Sequence, residues 1–384
     1  MARVVGTLHN ETLYGSAEGS YIWGDSDGDL LNLVSGSDQI FGGAGNDVIF
    51  GDSLSLLGHS TGGNDIILGG AGNDQIFGDA KGIFGTSIGG NDTLRGEAGF
   101  NTLYGDAYGL YDKSIGGSDT LYGGGGDKLY GDAYEMSGSA RGGGDTLTGG
   151  DGFDTLFGDA HDMDQYTVGG KDIMFAKGAG DVLFGDAFTL SGNARGGSDY
   201  LQGSDTGGDV LYGDAYTMIE GARGADDYLD GGGSNDTLYG DAFELFTANA
   251  GNDILYGGAG DDKLYGDGFE WPSGNDWAQQ TPPGGGADKL VGGTGNDELW
   301  GGRGNDVFVF APGSGQDKIH DFNLFAGDAD RIDVRDYHFN SFAQIQIDSV
   351  NGGVDSLVHL SATDTVLVEH THPAELHASD FIIV

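Results

Sequence analysis

Apolar residues recur along this chain in bursts of three, each bounded by glycine and aspartate. The commonest burst reads polar, Leu or Ile, aromatic, as in QIF over 75–77, KLY over 128–130 and TLF over 155–157. One inward residue flanked by two outward ones is the alternation of a short strand with a single buried face. The turns before the bursts share a phrase, G-G-x-G-x-D, giving nine-residue units such as GGAGNDVIF from Gly42, GGAGNDQIF at Gly69–Gly70, GGAGDDKLY from Gly257 and GGTGNDELW from Gly292. Glycines in such a turn admit positive φ and let carbonyls face a common point. The Asp adds a hard carboxylate oxygen. Stacked copies would place carboxylates and carbonyls of successive turns around one cation, a donor set that suits calcium.

The true period is longer than nine. A Gly-Asp step recurs at Asp52, Asp79, Asp106, Asp132, Asp159, Asp186, Asp214, Asp241 and Asp267, close to every 27 residues. Each period pairs a short unit (GGGGDKLY) with a long one (GDAYEMSGSARGGGDTLT). A two-sided β-roll needs about 18 residues per coil, so one side has gained a segment. That segment carries an aromatic and, two residues on, an aliphatic: Tyr108/Leu110, Tyr134/Met136, Phe188/Leu190, Tyr216/Met218, Phe243/Leu245. Spacing of two puts both on one strand face. The reading is an all-β, calcium-binding parallel β-roll or β-helix with ~27-residue coils, an added strand in each, and a C-terminal β cap. A plain β-roll bearing loops on one face, and long units that alternate sides, are the other two arrangements.

The short unit ends in an aromatic every time: Phe50, Phe77, Tyr104, Tyr130, Phe157, Phe184, Tyr212, Tyr239, Tyr265, Trp300. The matching long-unit position is mixed (Leu68, Arg95, Tyr122, Thr148, Gln202, Asp230). Different environments on two sides explain that, and favour a 27-residue coil. By alternation the aromatics face outward. Either the added strand covers them or they form an exposed stripe for a partner chain or glycan.

Composition sharpens this. The 384 residues include 79 Gly, 5 Pro and no Cys, and the net charge is −45. So acidic a chain repels itself when compact unless counter-ions enter the fold. It argues against nucleic acid and anionic membranes as partners. About twenty Ca²⁺, one per turn motif, would cancel most of the charge, and binding energy would then serve as folding energy. No apolar run reaches membrane-span length, and the start carries no apolar signal peptide. Calcium sites of this kind need extracellular concentrations.

The repeated phrase resembles the RTX nonapeptide of secreted calcium-binding proteins, over about four-fifths of the chain. The resemblance implies ions between the turns of neighbouring coils, held by the G-x-Asp carboxylates Asp38, Asp47, Asp65, Asp74, Asp92, Asp119, Asp127, Asp145, Asp154, Asp172, Asp181, Asp199, Asp209, Asp227, Asp236, Asp253, Asp262, Asp288, Asp297 and Asp306. Asn101, Ala225 before Asp227, and KGAGD at Asp181 depart from the pattern, and weaker binding is expected there. The Gly-Asp aspartates form a second ladder of sites or cap the added strand. Residues 1–41 read as worn repeats, with Glu11 in an Asp position and GDSDGDLLN out of register; 42–306 as the repeats; 307–384 as a cap. In that cap Phe308, Phe310, Ile319, Phe322, Ile332 and Val334 would close the core. It is similar to the end of serralysin-type proteases, which implies a type I secretion signal at Asp380–Val384.

RTX toxins and proteases carry their active domain upstream of the repeats, and here the repeats begin near residue 1, so no enzyme is expected. His370 and His372 would share a strand face as a transition-metal pair, or simply pack in the cap. Ser60 has no triad context. Trp271 and Trp277 mark a Pro-rich insertion, a contact site or a plain loop. The expected protein is secreted, folds on extracellular Ca²⁺, and self-assembles as a homo-oligomer or filament in a surface layer or matrix. A monomeric module binding a glycan or protein through its aromatic stripe or Trp loop is the alternative.

Overall fold

The computed structural model describes residues 1–268, 284–325 and 327–383. The chain winds as a parallel solenoid of about 11 turns, with three sheets of sixteen, fourteen and nine strands, here called I, II and III. One coil shows the path. The chain leaves sheet I at Gly51-Asp52 and runs out along Ser53–Leu57 in sheet III. It returns through 58–64, enters sheet II at Asp65 and continues as Ile66–Ala71. After a turn it rejoins sheet I as Gln75–Phe77. Each strand pairs with its counterpart one period on: Ile49 with Ile76, Ile67 with Leu94, Leu56 with Ile83.

Within the repeats sheet I takes the short units and sheet II the long ones, so the units do not alternate sides. The added segment is a strand and not a loop, because it pairs in register from Asp29–Leu31 to Ala242–Leu245. The coil is therefore a three-strand unit of about 27 residues.

Sheets I and II face each other across a file of Ile and Leu, among them Ile49, Ile67, Ile76, Leu94, Leu129 and Leu147, none of them exposed. Full burial of each such side chain contributes roughly 1.5–3 kcal/mol. A second core lies inside the added lobe, where Leu56, Ile83, Leu110, Met136, Met163 and Leu190 meet a file of alanines from Ala80 to Ala242. Ser60 belongs to this lobe: its buried hydroxyl donates to the carbonyls of Leu30 and Leu57 at 3.1 and 2.9 Å.

The sheet I aromatics do point away from the first core, and the added lobe covers them. Phe50 through Tyr265 are 3–7% exposed. They stack nearly parallel, with centroids 4.7–5.0 Å apart between neighbours such as Phe50 and Phe77, Tyr104 and Tyr130, and Phe157 and Phe184. A second file, Tyr108, Tyr134, His161, Phe188, Tyr216 and Phe243, packs on the first, in several cases edge to face. This corrects one expectation. Tyr108 and Leu110 do not share a face: Tyr108 joins the aromatic files, whereas Leu110 and Ala107 enter the lobe core. The third strand is short and closely wrapped, so its two ends serve different layers.

At the N-terminal end Ala2–Val5 and Thr12–Tyr14 each pair on one side only. GDSDGDLLN, expected out of register, is in register. Asp25 stands 27 residues before Asp52, is buried, and accepts the Gly36 N–H at 2.9 Å. At the other end Gln316–Ile319 pairs with Thr365–Val368, after which Asp355–His359 and Gln346–Val350 add antiparallel strands. Phe308, Phe310, Ile319, Phe322, Ile332 and Val334 are 0–4% exposed and join the first core. Phe381–Ile382 is the last strand of sheet II. His370 and His372 lie after a strand and not on one: His370 has φ 56°, and its N–H donates to Asp355. They form no strand-face pair. Trp271 and Trp277 lie outside the described residues.

Candidate metal centre: three ladders of aspartate

Every coil brings aspartates to its corners, and stacking turns each corner into a ladder. The first ladder stands at the entry to sheet II: Asp38, Asp65, Asp92, Asp119, Asp145, Asp172, Asp199, Asp227, Asp253, Asp288 and Asp306. Each N–H donates to Oδ1 of the next member, from Asp38 to Asp65 at 2.6 Å through Asp145 to Asp172 at 2.6 Å to Asp288 to Asp306 at 2.9 Å. Asp306 passes its N–H on to Asp330, which follows Gly327 by three residues and so lies outside the G-x-Asp spacing. Glu11 fills the first rung; its N–H donates to Asp38 at 2.7 Å.

The second ladder stands at the turn from sheet II to sheet I: Asp47, Asp74, Asn101, Asp127, Asp154, Asp181, Asp209, Asp236, Asp262 and Asp297, ending on Asp317. Asn101 keeps the ladder, since its Oδ1 accepts the Asp74 N–H at 2.9 Å. Ala225 and the KGAGD turn likewise leave Asp227 and Asp181 in their rungs.

The third ladder is the Gly-Asp series. Each carboxylate accepts the N–H of a residue on the returning limb, Asp79 from Gly90, Asp132 from Gly143 and Asp159 from Gly170. It thereby closes the neck where the added lobe leaves and rejoins the coil. These aspartates do cap the returning chain, and the bond uses only part of the carboxylate.

The remaining oxygens are the chemical signal. In the first ladder Oδ2 of every member from Asp38 to Asp306 is buried without a hydrogen-bond partner; in the third, so is Oδ2 of Asp106, Asp132, Asp159, Asp186, Asp214 and Asp241. A buried carboxylate without compensation is costly. The second ladder divides. Oδ2 is unpartnered at Asp47, Asp74, Asp236, Asp262, Asp297 and Asp317. In the middle coils the turn folds onto it: Gly124 N–H reaches Asp127 at 2.6 Å, Gly150 reaches Asp154 at 2.6 Å, Lys177 reaches Asp181 at 3.2 Å, and Ser204 reaches Asp209 at 2.7 Å. Sheet II follows this division at all but one rung: its strands have six residues before Asp47, Asp74, Asp262 and Asp297, as in Ile66–Ala71, and three before Asp127, Asp154, Asp181 and Asp209, as in Thr146–Thr148, but Asp236 also follows a three-residue strand, Tyr228–Asp230.

Burial and crowding drive the carboxyls upward. Burial holds Asp132 well above the usual carboxylate range, and the charges of Asp145, Asp159 and Asp106 add to it. Burial raises Asp74 to about 6, Asp297 to about 7, Asp236 to about 8 and Asp306 to about 9. Such groups need either a proton or a cation.

The donor set fits calcium. Among the described residues no three acidic or histidine side chains form a preformed cluster, so an ion would take further oxygens from the backbone, as Ca²⁺ with its six to eight ligands does. Glycine makes the space. A Cβ on Gly131 would overlap both Gly158 O and Asp145 Oδ2, and one on Gly266 would overlap Gly301 O. Where a side chain would stand, carboxylate and carbonyl oxygens face one another instead. When bound, the ion supplies positive charge; the chain's own residues set the corner and fix the oxygens.

No curated protein matches the chain. The solution structure of the AlgE6R2 subunit of the Azotobacter vinelandii mannuronan C5-epimerase is 25% identical over 41% of this chain and 88% of that one, with a TM-score of 0.25. The family model for the RTX calcium-binding nonapeptide repeat matches residues 5–40, 23–53, 59–80, 87–107, 116–133, 139–162, 222–244, 243–269 and 283–318. These segments span more than half of the sequence, fall on the aspartate ladders just described, and place the chain in the RTX calcium-binding nonapeptide repeat family.

Proposed function

We propose that this protein is a secreted structural component that folds when it meets extracellular calcium and then assembles with its own copies. The observation that carries the reading is the series of buried, unpartnered carboxylate oxygens at the coil corners. Without cations they oppose the compact state; with cations they bind successive coils together. Self-assembly draws support from two features. The first strands of sheets I and II have one open edge. The outer face of sheet II carries Ile66, Ile173 and Ile254 at 37–43% exposure beside half-buried Tyr200 and Tyr228. Export would deliver a chain that stays unfolded until it meets calcium. No helix among the described residues is long and apolar enough to cross a membrane.

The glycan-binding reading finds less support. A sugar stacks on a ring face, and in both aromatic files the faces are engaged by the neighbouring rings. The test is a CaCl₂ titration of metal-stripped protein followed by circular dichroism and light scattering together. A coil-to-β transition with rising scatter is the expected result. A transition without scatter removes the assembly, and no transition removes the calcium-driven fold.

A further inference from the structure

Five consecutive coils each place one cation on the limb by which the added lobe returns: Lys113, Arg141, Lys171, Arg195 and Arg223. Three of them share one phrase, Ala-Arg-Gly, at 140–142, 194–196 and 222–224. In each phrase the alanine is wholly buried in the lobe core and the arginine after it is exposed, as alternation along an extended segment requires. Backbone bridges keep the arginines in register, running from Ile115 to Arg141, Val168, Arg195 and Arg223, one coil to the next. Lys113 and Lys171 flank this column, two residues before Ile115 and three after Val168. In the earlier coils the same column holds Val34, Thr61 and Ile88, so the charge belongs to the middle of the molecule.

All five side chains are exposed. None of them forms an ion pair with a described carboxylate, whereas Arg3, Lys318 and Arg335 do. The chain has 61 acidic and 16 basic residues, so its carboxylates already supply solubility. An unpaired cation in every coil of one limb serves something else. The guanidinium fork of arginine matches a carboxylate in two-point contact.

Spacing narrows the partner. Neighbouring strands lie about 4.8 Å apart, so the band offers one cation at about that interval over about 19 Å. Duplex DNA carries a charge about every 1.7 Å, which is far denser. An extended acidic peptide repeats its same-face side chains about every 6.6 Å, which is wider. A linear polysaccharide with one carboxylate per sugar advances by close to one strand spacing per ring. The net charge of −45 opposes any anion at the metal-free surface. Calcium in the aspartate ladders removes most of that charge and leaves the band as a local positive strip.

We propose that the returning limb of the added lobe is a docking strip for an acidic polysaccharide with one carboxylate per sugar, held by Arg141, Arg195 and Arg223 with Lys113 and Lys171 beside them. This rests on the calcium reading above, because the strip exists only in the folded, charge-neutralised chain. The contact is ionic and needs no free ring face, so the covered aromatic files do not bear on it.

The test titrates short galacturonate oligomers into the full chain at saturating calcium by calorimetry, with neutral galactose oligomers and polyglutamate as controls. Arg141→Gln with Arg195→Gln and Arg223→Gln is compared with Lys81→Gln, Lys128→Gln and Lys263→Gln, which removes three exposed cations elsewhere. Circular dichroism on the same samples checks the fold. Galacturonate should bind the unsubstituted chain, more weakly as salt rises. The arginine variant should lose about tenfold in affinity or more, and the lysine variant little. No binding by a chain that shows its calcium transition overturns the proposal alone, as does an equal loss in both variants. Polyglutamate binding as tightly makes the partner an acidic protein and overturns it. So does loss of calcium-induced scattering by the arginine variant without sugar, which makes the occupant a second copy. No calcium transition in the unsubstituted chain overturns the calcium reading and the strip together. Should the arginine variant not fold, Lys113→Gln with Lys171→Gln takes its place, and unchanged galacturonate affinity there overturns the strip.

Discussion

The N–H of Asp145 donates to Oδ1 of Asp172 at 2.6 Å, one coil away, while Oδ2 of Asp172 is buried without a partner. One carboxylate thus does two separable things: it ties two coils together and it presents an oxygen to a cation. Asp172→Asn should keep the tie and weaken calcium binding. Asp172→Ala should lose both and leave the Asp145 N–H unsatisfied, at an added cost of about 1–3 kcal/mol. Urea unfolding at saturating calcium separates the two variants; equal stabilities would refute the tie.

The pH dependence of the metal-free chain should run opposite to ordinary acid denaturation. Carboxyls raised in the fold bind more protons folded than unfolded, so their stabilising contribution is complete below the unfolded value of about 4. It is lost as pH rises through the folded values of about 6 for Asp74, 7 for Asp297, 8 for Asp236 and 9 for Asp306. Metal-stripped protein should show more β-structure at pH 5 than at pH 8 by circular dichroism, and calcium should bind more tightly at pH 8. The reverse order would show that these carboxyls are not buried in the metal-free state.

Phe157 and Phe184 stack 4.8 Å apart in the covered aromatic file, and Phe184 is 4% exposed. Phe184→Ala should cost about 3–5 kcal/mol by opening a cavity under the added lobe. Tyr216→Ala, from the half-buried outer file, should cost less. Equal costs in thermal unfolding with calcium would mean that the lobe does not cover the inner file.

Gly131→Ala should prevent its coil from closing, because the methyl group would occupy the space held by Gly158 O and Asp145 Oδ2. Gly313→Ala, where a Cβ meets nothing, carries only the strain of φ 95°. Calcium-dependent circular dichroism should show a much larger loss for the first.

Assembly through the outer face of sheet II predicts that Ile173→Lys with Tyr228→Lys lowers calcium-induced light scattering while leaving the β signal unchanged. Undiminished scattering would move the contact elsewhere, to the open edges at Ala2–Val5 and Thr12–Tyr14.

The sequence by itself determined the period, the inward Leu and Ile of sheets I and II, and the aspartate at each corner. Those features are local: a strand of three residues has one inward position, and a glycine turn tolerates little but Asp or Asn at its exit. Asp25 is legible in the same period, 27 residues before Asp52. Tertiary structure decided three things. It divided Tyr108 and Leu110 between two layers, because a short strand wrapped over another sheet cannot keep both ends on one face. It supplied Asp127, Asp154, Asp181 and Asp209 with N–H donors from their own turns, whereas Asp236, after an equally short strand, keeps its Oδ2 unpartnered. It also laid the Gly-Asp file beside the entry aspartates. Those residues are separated in sequence by the whole added lobe, and they meet only because the lobe goes out and returns to the same neck.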